Sequence, residues 1–427
     1  MKLKRFISMV AFTCVGALAL SACGGADADD GQVTLSFTWW GSDTRHQATE
    51  EIIELFEEEN PGITIEPSYS DWDSYWDQLA TQTAGGTPPD IIQMDDNYLR
   101  EYSQRGALLE LTDVDVSALD EESVENGRTE NEGLVGITTG VNAMVMMANP
   151  DIFEEAGLEL PDDTTWTWED YREITTQISD DVEGVYGATG PAAPADLQIW
   201  LRQQGKHLTT QDSELGFEVR DAEEYLEHLY HLMESGGYPS ASVIAEDQTP
   251  GPDESMTGSN EVAMGMWWTN QLPAISGASG TETVPLRMPS HSGSAEENGM
   301  WYKSTMLLSV SSQTEHPEEA QQFIDFMVNS EETGLLNGTD RGLPSNPEVR
   351  DAVFDQLEGP DLTASEFIEE IEPEIAAQPI EPVPAMGFSA MQEILQRYEL
   401  QVFFGDLSPA EAAERMVAEM EQELEAP

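Results

Sequence analysis

The sequence predicts an α/β protein of two domains. Over the first hundred residues, short apolar runs of strand character alternate with amphipathic stretches of helical period, in the order strand, helix, strand, helix, strand. That order implies right-handed crossovers and a parallel sheet covered by helices on both faces. The 427 residues exceed what one hydrophobic core comfortably serves, which argues for a second domain. Past the N-terminus no run offers the ~18 consecutive apolar residues of a membrane helix, so the body is expected to be soluble.

The N-terminus reads as an export signal: Lys2, Lys4 and Arg5, an apolar stretch over 6–19, then Leu20-Ser21-Ala22-Cys23-Gly24. Its end resembles the lipobox of bacterial lipoproteins. That resemblance implies cleavage after residue 22, acylation of Cys23 and a stable anchor made by more than one acyl chain. The other cysteine, Cys14, lies inside the signal. The exported chain is therefore left without a disulfide and must be held by its core.

Charge narrows the partners. The chain carries 17 Lys+Arg against 83 Asp+Glu, a formal net charge of −66, and its only lysines beyond the signal are Lys206 and Lys303. Phosphate backbones require clustered cations, so nucleic acid and anionic surfaces are excluded as main partners. Recurrent Trp, Ile, Leu, Phe and Met argue against disorder. The acidity reads instead as a folded surface adapted to high salt.

Residues 24–32, "GGADADDGQ", read as a flexible acidic tether. A strand follows over Val33–Trp40, then a helix from Asp43 with Ala48, Ile52, Leu55 and Phe56 on one face, stopped by Asn60-Pro61-Gly62. Residues 62–69 give the next strand. A helix over 71–83 runs into Gly85-Gly86, and "PPDIIQM" forms a third strand ending at Asp95-Asp96. The run 136–149, "GITTGVNAMVMMAN", is apolar and extended, and marks the first crossing between domains. A short helix from Pro150 ends at Gly157, and the middle is mostly helical. "GMWYKSTMLLSVSS" returns as a strand, followed by a helix with Pro317 near its start and Phe323, Ile324 and Met327 on one face. Ser408 to Glu411 has capping-box spacing and opens the last helix.

Several of these stretches, in this order, resemble the extracellular solute-binding proteins of ABC importers, of the carbohydrate-binding kind. They include "TWWGSDTRHQATEEIIELFEEENPGITIEP", "WDQLATQTAGGTPPDIIQMDDNYLREYSQRGALLEL", "NEVAMGMWWTNQLP" and "HPEEAQQFIDFMVNSEETGLLNGTDRGLPSNPEV". The resemblance implies a two-lobed periplasmic-binding-protein-like fold, each lobe a mainly parallel sheet flanked by helices. A sugar would bind in the cleft, and hinge closure would present the loaded protein to the permease subunits. On this reading 1–22 is the signal and 23–32 the tether, 33–138 with 302–342 form lobe 1, and 139–301 with 343–427 form lobe 2. The protein is expected to act as a monomer, without cofactor or metal.

A sugar site needs aromatic plates for C–H faces and amide, carboxylate or guanidinium groups for hydroxyls, and ligands of open α/β sheets sit beyond the carboxyl ends of strands. The pair Trp39-Trp40 lies at such an end, with Asp43 and Arg45 just after. Neighbouring strand residues face opposite ways, so one ring is assigned to the core and the other, Trp40, to the cleft. Asp95 and Asp96 end another strand. Trp72 and Trp76 share a helix face, Trp267 and Trp268 with Asn270 repeat the doubled device, Trp301 precedes the returning strand, and Arg341 sits in "RGLP". Trp166, Trp168 and Trp200 are assigned to packing. Asp43 serves equally well as a helix cap and Arg45 as a surface ion-pair partner.

Two other classes stay open. A glycoside hydrolase would need two carboxylates ~5–5.5 Å apart, and no spacing singles out a pair. A polyamine receptor would suit an anionic cleft. His228 and His231 lack a third ligand pattern and are expected at the surface, and there is no P-loop, GxSxG or GxGxxG. The charge balance generates one prediction: the melting temperature of the mature protein rises between 0.1 and about 2 M NaCl as self-repulsion is screened. A calorimetric melt indifferent to salt would contradict it.

Overall fold

The strand Val33–Trp40 shows how the sequence builds its core. Leu35, Phe37 and Trp39 point to one face, against Ile52, Phe56 and Phe323, while Trp40 turns to the other, against Tyr75, Trp76 and Met94. Strand alternation thus feeds two cores, and helices cover both faces. The computed structural model describes residues 32–424 apart from 42, 120, 130–132, 211–213, 249–250, 380, 382 and 386. The export signal, Cys23 and nearly all of the tether lie outside the described residues.

The first sheet has six strands, in the order Leu343–Pro344, Ile137–Asn142, Lys303–Val310, Ile91–Met94, Val33–Trp40, Ile63–Ser70. Val33–Trp40 pairs in parallel with both neighbours, Val33 standing opposite Ile63 and Phe37 opposite Ile91. The other three strands add antiparallel. The second sheet orders Val284–Leu286, Met144–Ala148, Val262–Trp268 and Tyr186–Ala188, and only the last pair is parallel. Pairing is therefore mixed, and the mainly parallel arrangement is confined to strands joined by consecutive helical crossovers. Strands that arrive from the other lobe enter in the opposite direction.

The run 136–149 divides between the sheets: Ile137–Asn142 belongs to the first and Met144–Ala148 to the second. Ala143 is the joint, its N–H donating to Thr269 Oγ1 at 3.2 Å and its carbonyl accepting from Thr269 N–H at 3.0 Å. The chain returns at Lys303. The sequence reading places 343–427 in the second lobe, whereas Leu343–Pro344 joins the first sheet. Leu343–Pro344 pairs with Ile137–Asn142, and the helix Pro347–Phe354 packs on Glu331–Asn337. The helix Gly359–Ile375 is the first later element to pack on the second lobe, through Val284–Leu286 and Leu272–Ser279. The turn before 343 demands glycine: Gly342 has φ +84°, and a Cβ there would meet Thr305 Oγ1 at 2.1 Å and Val141 O at 2.8 Å.

The second lobe buries Trp166, Trp168 and Trp200. His228, expected at the surface, stacks on Trp200 with centroids 4.8 Å apart, and burial lowers its pKa to about 3. Deeper still, three helices meet at Tyr225, whose hydroxyl lies between the carboxyl groups of Asp196 and Glu399, the latter at 2.7 Å. A phenol has one proton to donate, so it can give to only one carboxylate, and the other carboxyl must itself carry a proton to donate back. Burial pushes Asp196 up to about 6, and burial with the neighbouring Asp196 charge pushes Glu399 well above its ordinary value.

Both folded values exceed the unfolded ones, so the native state keeps protons that the unfolded chain releases. This contribution is complete below the unfolded pKa of about 4 and is lost as pH rises through 6 and beyond. The denaturation midpoint should therefore decline between about pH 5 and pH 8. Glu399→Gln keeps a partner for Tyr225 without a titrating proton, and its decline measured by chemical denaturation should be shallower.

Candidate functional site

A cavity of about 340 Å³ lies between the sheets, and its walls come from strand ends on both sides. Trp72 follows Ile63–Ser70, Asp95 follows Ile91–Met94, Thr189 follows Tyr186–Ala188, and Trp267-Trp268 closes Val262–Trp268. Sites of open α/β sheets form in this position because the loops beyond the strand ends converge there.

On the first lobe Asp71 caps the helix Trp72–Ala84, its Oδ1 accepting from Ser74 N–H at 3.0 Å, and so fixes Trp72 at the first helical position. Trp72 is 40% exposed and stands edge-on to Trp40, centroids 5.0 Å apart at 88°. Trp76 lies flat on Tyr98 at 3.7 Å. The cluster therefore supports one ring, Trp72, and presents it to the cavity. Across the gap Trp267 donates from Nε1 to Thr257 Oγ1 at 2.9 Å, and Trp268 stands edge-on to Trp301.

The charged centre is Lys303. Its Nζ lies 3.0 Å from Asp95 and 2.8 Å from Asp96, and 5.7 Å from the centre of the Trp268 ring. Asp95 also caps the helix Asp96–Gln104, accepting from Asn97 N–H at 3.0 Å. Burial works to lower the Lys303 pKa, and the two carboxylates overcome it and hold the ammonium above the ordinary lysine range. Burial outweighs Lys303 at Asp96, whose pKa rises to about 7. The remaining wall is rich in amides: Gln198, Gln248, Gln271, Gln392 and Gln396, with Asp247 among them. Burial raises the Asp247 carboxyl above its ordinary value.

Of the residues singled out in the sequence, Trp72, Asp95, Trp267 and Trp268 line this cavity, and Asp96 and Trp301 line a small hollow of about 30 Å³ adjoining it. The others sit elsewhere. Trp39 is fully buried, donating from Nε1 to His46 Nδ1 at 3.0 Å. Trp40 and Trp76 pack against Trp72 and do not line the cavity. Asp43 is exposed at the start of the helix Asp43–Glu59. Arg45 pairs with Asp340 at 2.5 Å. Arg341 is buried, reaching Thr49 Oγ1 at 2.8 Å and Asn337 Oδ1 at 2.7 Å. Asn270 accepts from Asn142 Nδ2 at 3.1 Å at the crossing.

Sequence reasoning missed Lys303, Asn97, Asp247, the glutamines and the loop over 189–195. Lys303 had a signal, being one of two lysines after the export segment and lying two residues after Trp301. The glutamines had none, since amides on helices read as solvent-facing positions.

Residues 40–334 match the family described as bacterial extracellular solute-binding protein. The chain belongs to this family. Among its relatives, an uncharacterized lipoprotein of Streptomyces antibioticus is 24% identical over 353 residues, covering 78% of this chain and 75% of that one. The arabinooligosaccharide-binding protein of Halalkalibacterium halodurans is 26% identical over 59% of this chain and 57% of its own length. The fold is shared with the periplasmic oligogalacturonide-binding protein of Yersinia enterocolitica, solved with saturated digalacturonic acid. The two superpose with a TM-score of 0.78 at 21% identity, over 92% of this chain and 99% of that one.

The geometry separates a cavity-lining ring from a buried one in this solute-binding protein. Trp72→Ala should weaken ligand binding by about tenfold or more, the scale of losing a buried aromatic anchor, with little change in melting temperature. Trp39→Ala should cost ~3–5 kcal/mol of stability while the folded fraction keeps its affinity. Calorimetric titration beside thermal melts checks both.

Proposed function

We propose that this solute-binding protein is a non-catalytic receptor that captures a mono- or oligosaccharide between its lobes and delivers it to the permease subunits of an ABC importer. Acyl chains on Cys23 would tether it to the outer face of the cell membrane, where it works as a monomer. The observation that carries this reading is the cavity itself, in which Trp72, Trp267 and Trp268 face a wall of amides. Indole faces suit the C–H faces of a sugar, and amides both donate to and accept from hydroxyls. Ligand contacts to both lobes stabilise the closed arrangement more than the open one, which shifts the equilibrium toward closure.

The rival classes fit less well. The adjacent carboxylates Asp95 and Asp96 are both engaged by Lys303, which disfavours them as a hydrolase's acid and nucleophile and as a cradle for a polyamine. Tryptophan fluorescence titrated with mono- and oligosaccharides, with the mixtures assayed for cleavage, tests the proposal. Saturable quenching by a sugar that stays intact is expected. Turnover of the sugar, or saturation by spermidine alone, would overturn it.

A further inference from the structure

We propose that the ligand is an uncharged oligosaccharide, with acidic sugars rejected by the unpaired carboxylate of Asp247 and hydroxyls read by Gln198. This inference rests on the sugar reading above and narrows it.

The first step is a count of charge at the cavity wall. Lys303 is the cation among the described lining residues, and its ammonium is already committed: to Asp95 Oδ2 at 3.0 Å, to Asp96 at 2.8 Å, and at 3.5 Å to the Ser304 carbonyl. Asp95 and Ser304 accept its hydrogen bonds, and Asp96 holds it as an ion pair. A uronate entering the cleft finds no free cation there.

It does find a free anion. Asp247 accepts from Met256 N–H at 2.8 Å through one oxygen, and among the described residues no Lys or Arg pairs with it. Two carboxylates facing each other in a partly desolvated cavity repel strongly, because screening by water is reduced there. A polyamine fares little better. It brings several ammonium groups to a wall where Asp95 already shares Lys303 with Asp96 and the remaining polar groups are mostly amides, so most of its charges would face amides. A neutral sugar asks only for hydrogen bonds, and a hydroxyl donating to a carboxylate makes one of the stronger kinds.

The second step is an unmet polar group. Gln198 is only 8% exposed and borders both the main cavity and the adjoining hollow, yet its side-chain amide has no hydrogen-bond partner among the described residues. Gln248 Nε2 is shielded from solvent and without a partner among the described residues. A shielded amide nitrogen left unsatisfied, as at Gln248, costs free energy that a ligand hydroxyl recovers, whereas the Gln198 amide opens onto the cavity and is available to a hydroxyl there. Both amides thus wait for groups that donate and accept, as hydroxyls do.

The test is calorimetric titration of the mature protein with maltotriose, xylotriose, arabinotriose and α-1,4-galactobiose, against digalacturonic acid, the uronate counterpart of the last, and spermidine. Saturable binding of at least one neutral probe is expected, with digalacturonic acid about a hundredfold or more weaker than the best of them. Asp247→Asn should lower the neutral affinity and narrow that gap. Gln198→Leu should cost about tenfold in affinity, and Gln198→Glu, of the same length, should also weaken the neutral probe if the Leu variant folds poorly. Digalacturonic acid binding as tightly as the neutral probes overturns the proposal and leaves the sugar receptor standing, as does neutral binding indifferent to both positions. Binding of spermidine alone, or of no glycan, defeats the sugar reading itself and this proposal with it.

Discussion

Buried cations tie this chain together across long sequence distances. Arg45 joins the first helix to Asp340, Arg202 meets Glu381, Arg287 gathers Asp163, Glu370 and Glu374, and Lys303 reaches back to Asp95 and Asp96. With 17 basic residues against 83 acidic ones, a cation placed inside readily finds several carboxylates. Such pairs add little net stability over apolar packing, because desolvation offsets attraction. Removing one partner, however, strands a buried charge at a cost of about 3–5 kcal/mol. They therefore fix position, in a chain whose cysteines are confined to its first 23 residues.

Lys303 shows how position becomes function. It opens the strand that returns from the second lobe, and its carboxylate partners end a strand of the first lobe and cap the next helix. The same ammonium lies against Trp268 of the second lobe. One side chain thus joins the returning strand, the Asp95 cap and an aromatic wall of the cleft. The pair Arg45 and Arg341 does comparable work behind the cleft: Arg45 Nη1 donates to the Trp40 carbonyl at 3.1 Å, and Arg341 Nε donates to Gln93 at 3.2 Å. Those bonds hold two strand ends in register beneath the cavity, although neither guanidinium enters it.

Local chemistry was legible in the sequence wherever it was set by neighbours. The strand Val33–Trp40, the helix stop at Asn60-Pro61-Gly62 and the helix opened at Pro317 follow from alternation, turn residues and proline geometry, and the structure has each. What was not legible is set by distance. Leu343–Pro344 is too short to announce its sheet, and its partner strand lies two hundred residues earlier. Gln198 and Gln396 sit on separate helices, and nothing local marks either as facing a cavity. Arg341 reads as a ligand group in the sequence because "RGLP" resembles the family's turn before the second lobe, from which an arginine could reach the cleft. Here the turn folds inward, and Gly342 lets the backbone approach Thr305 closely enough to bury it.

The doubled tryptophan shows how such a misreading arises. Alternation requires Trp39 and Trp40 to face opposite ways, and the position at a strand end suggested that the outer ring would meet ligand. Both faces of this sheet, however, are covered by helices, so both rings are buried and alternation alone assigns each to a core. The ring that reaches the cavity belongs to the next crossover, where the Asp71 cap turns Trp72 out over Trp40. On the proposed sugar reading Trp40 would still matter to binding, because an edge-on indole restricts where Trp72 can lie, and a ring fixed before the ligand arrives loses less entropy when it binds. Here the aromatic pair at the strand end is buried on both faces, and one of its rings braces the indole that lines the cavity.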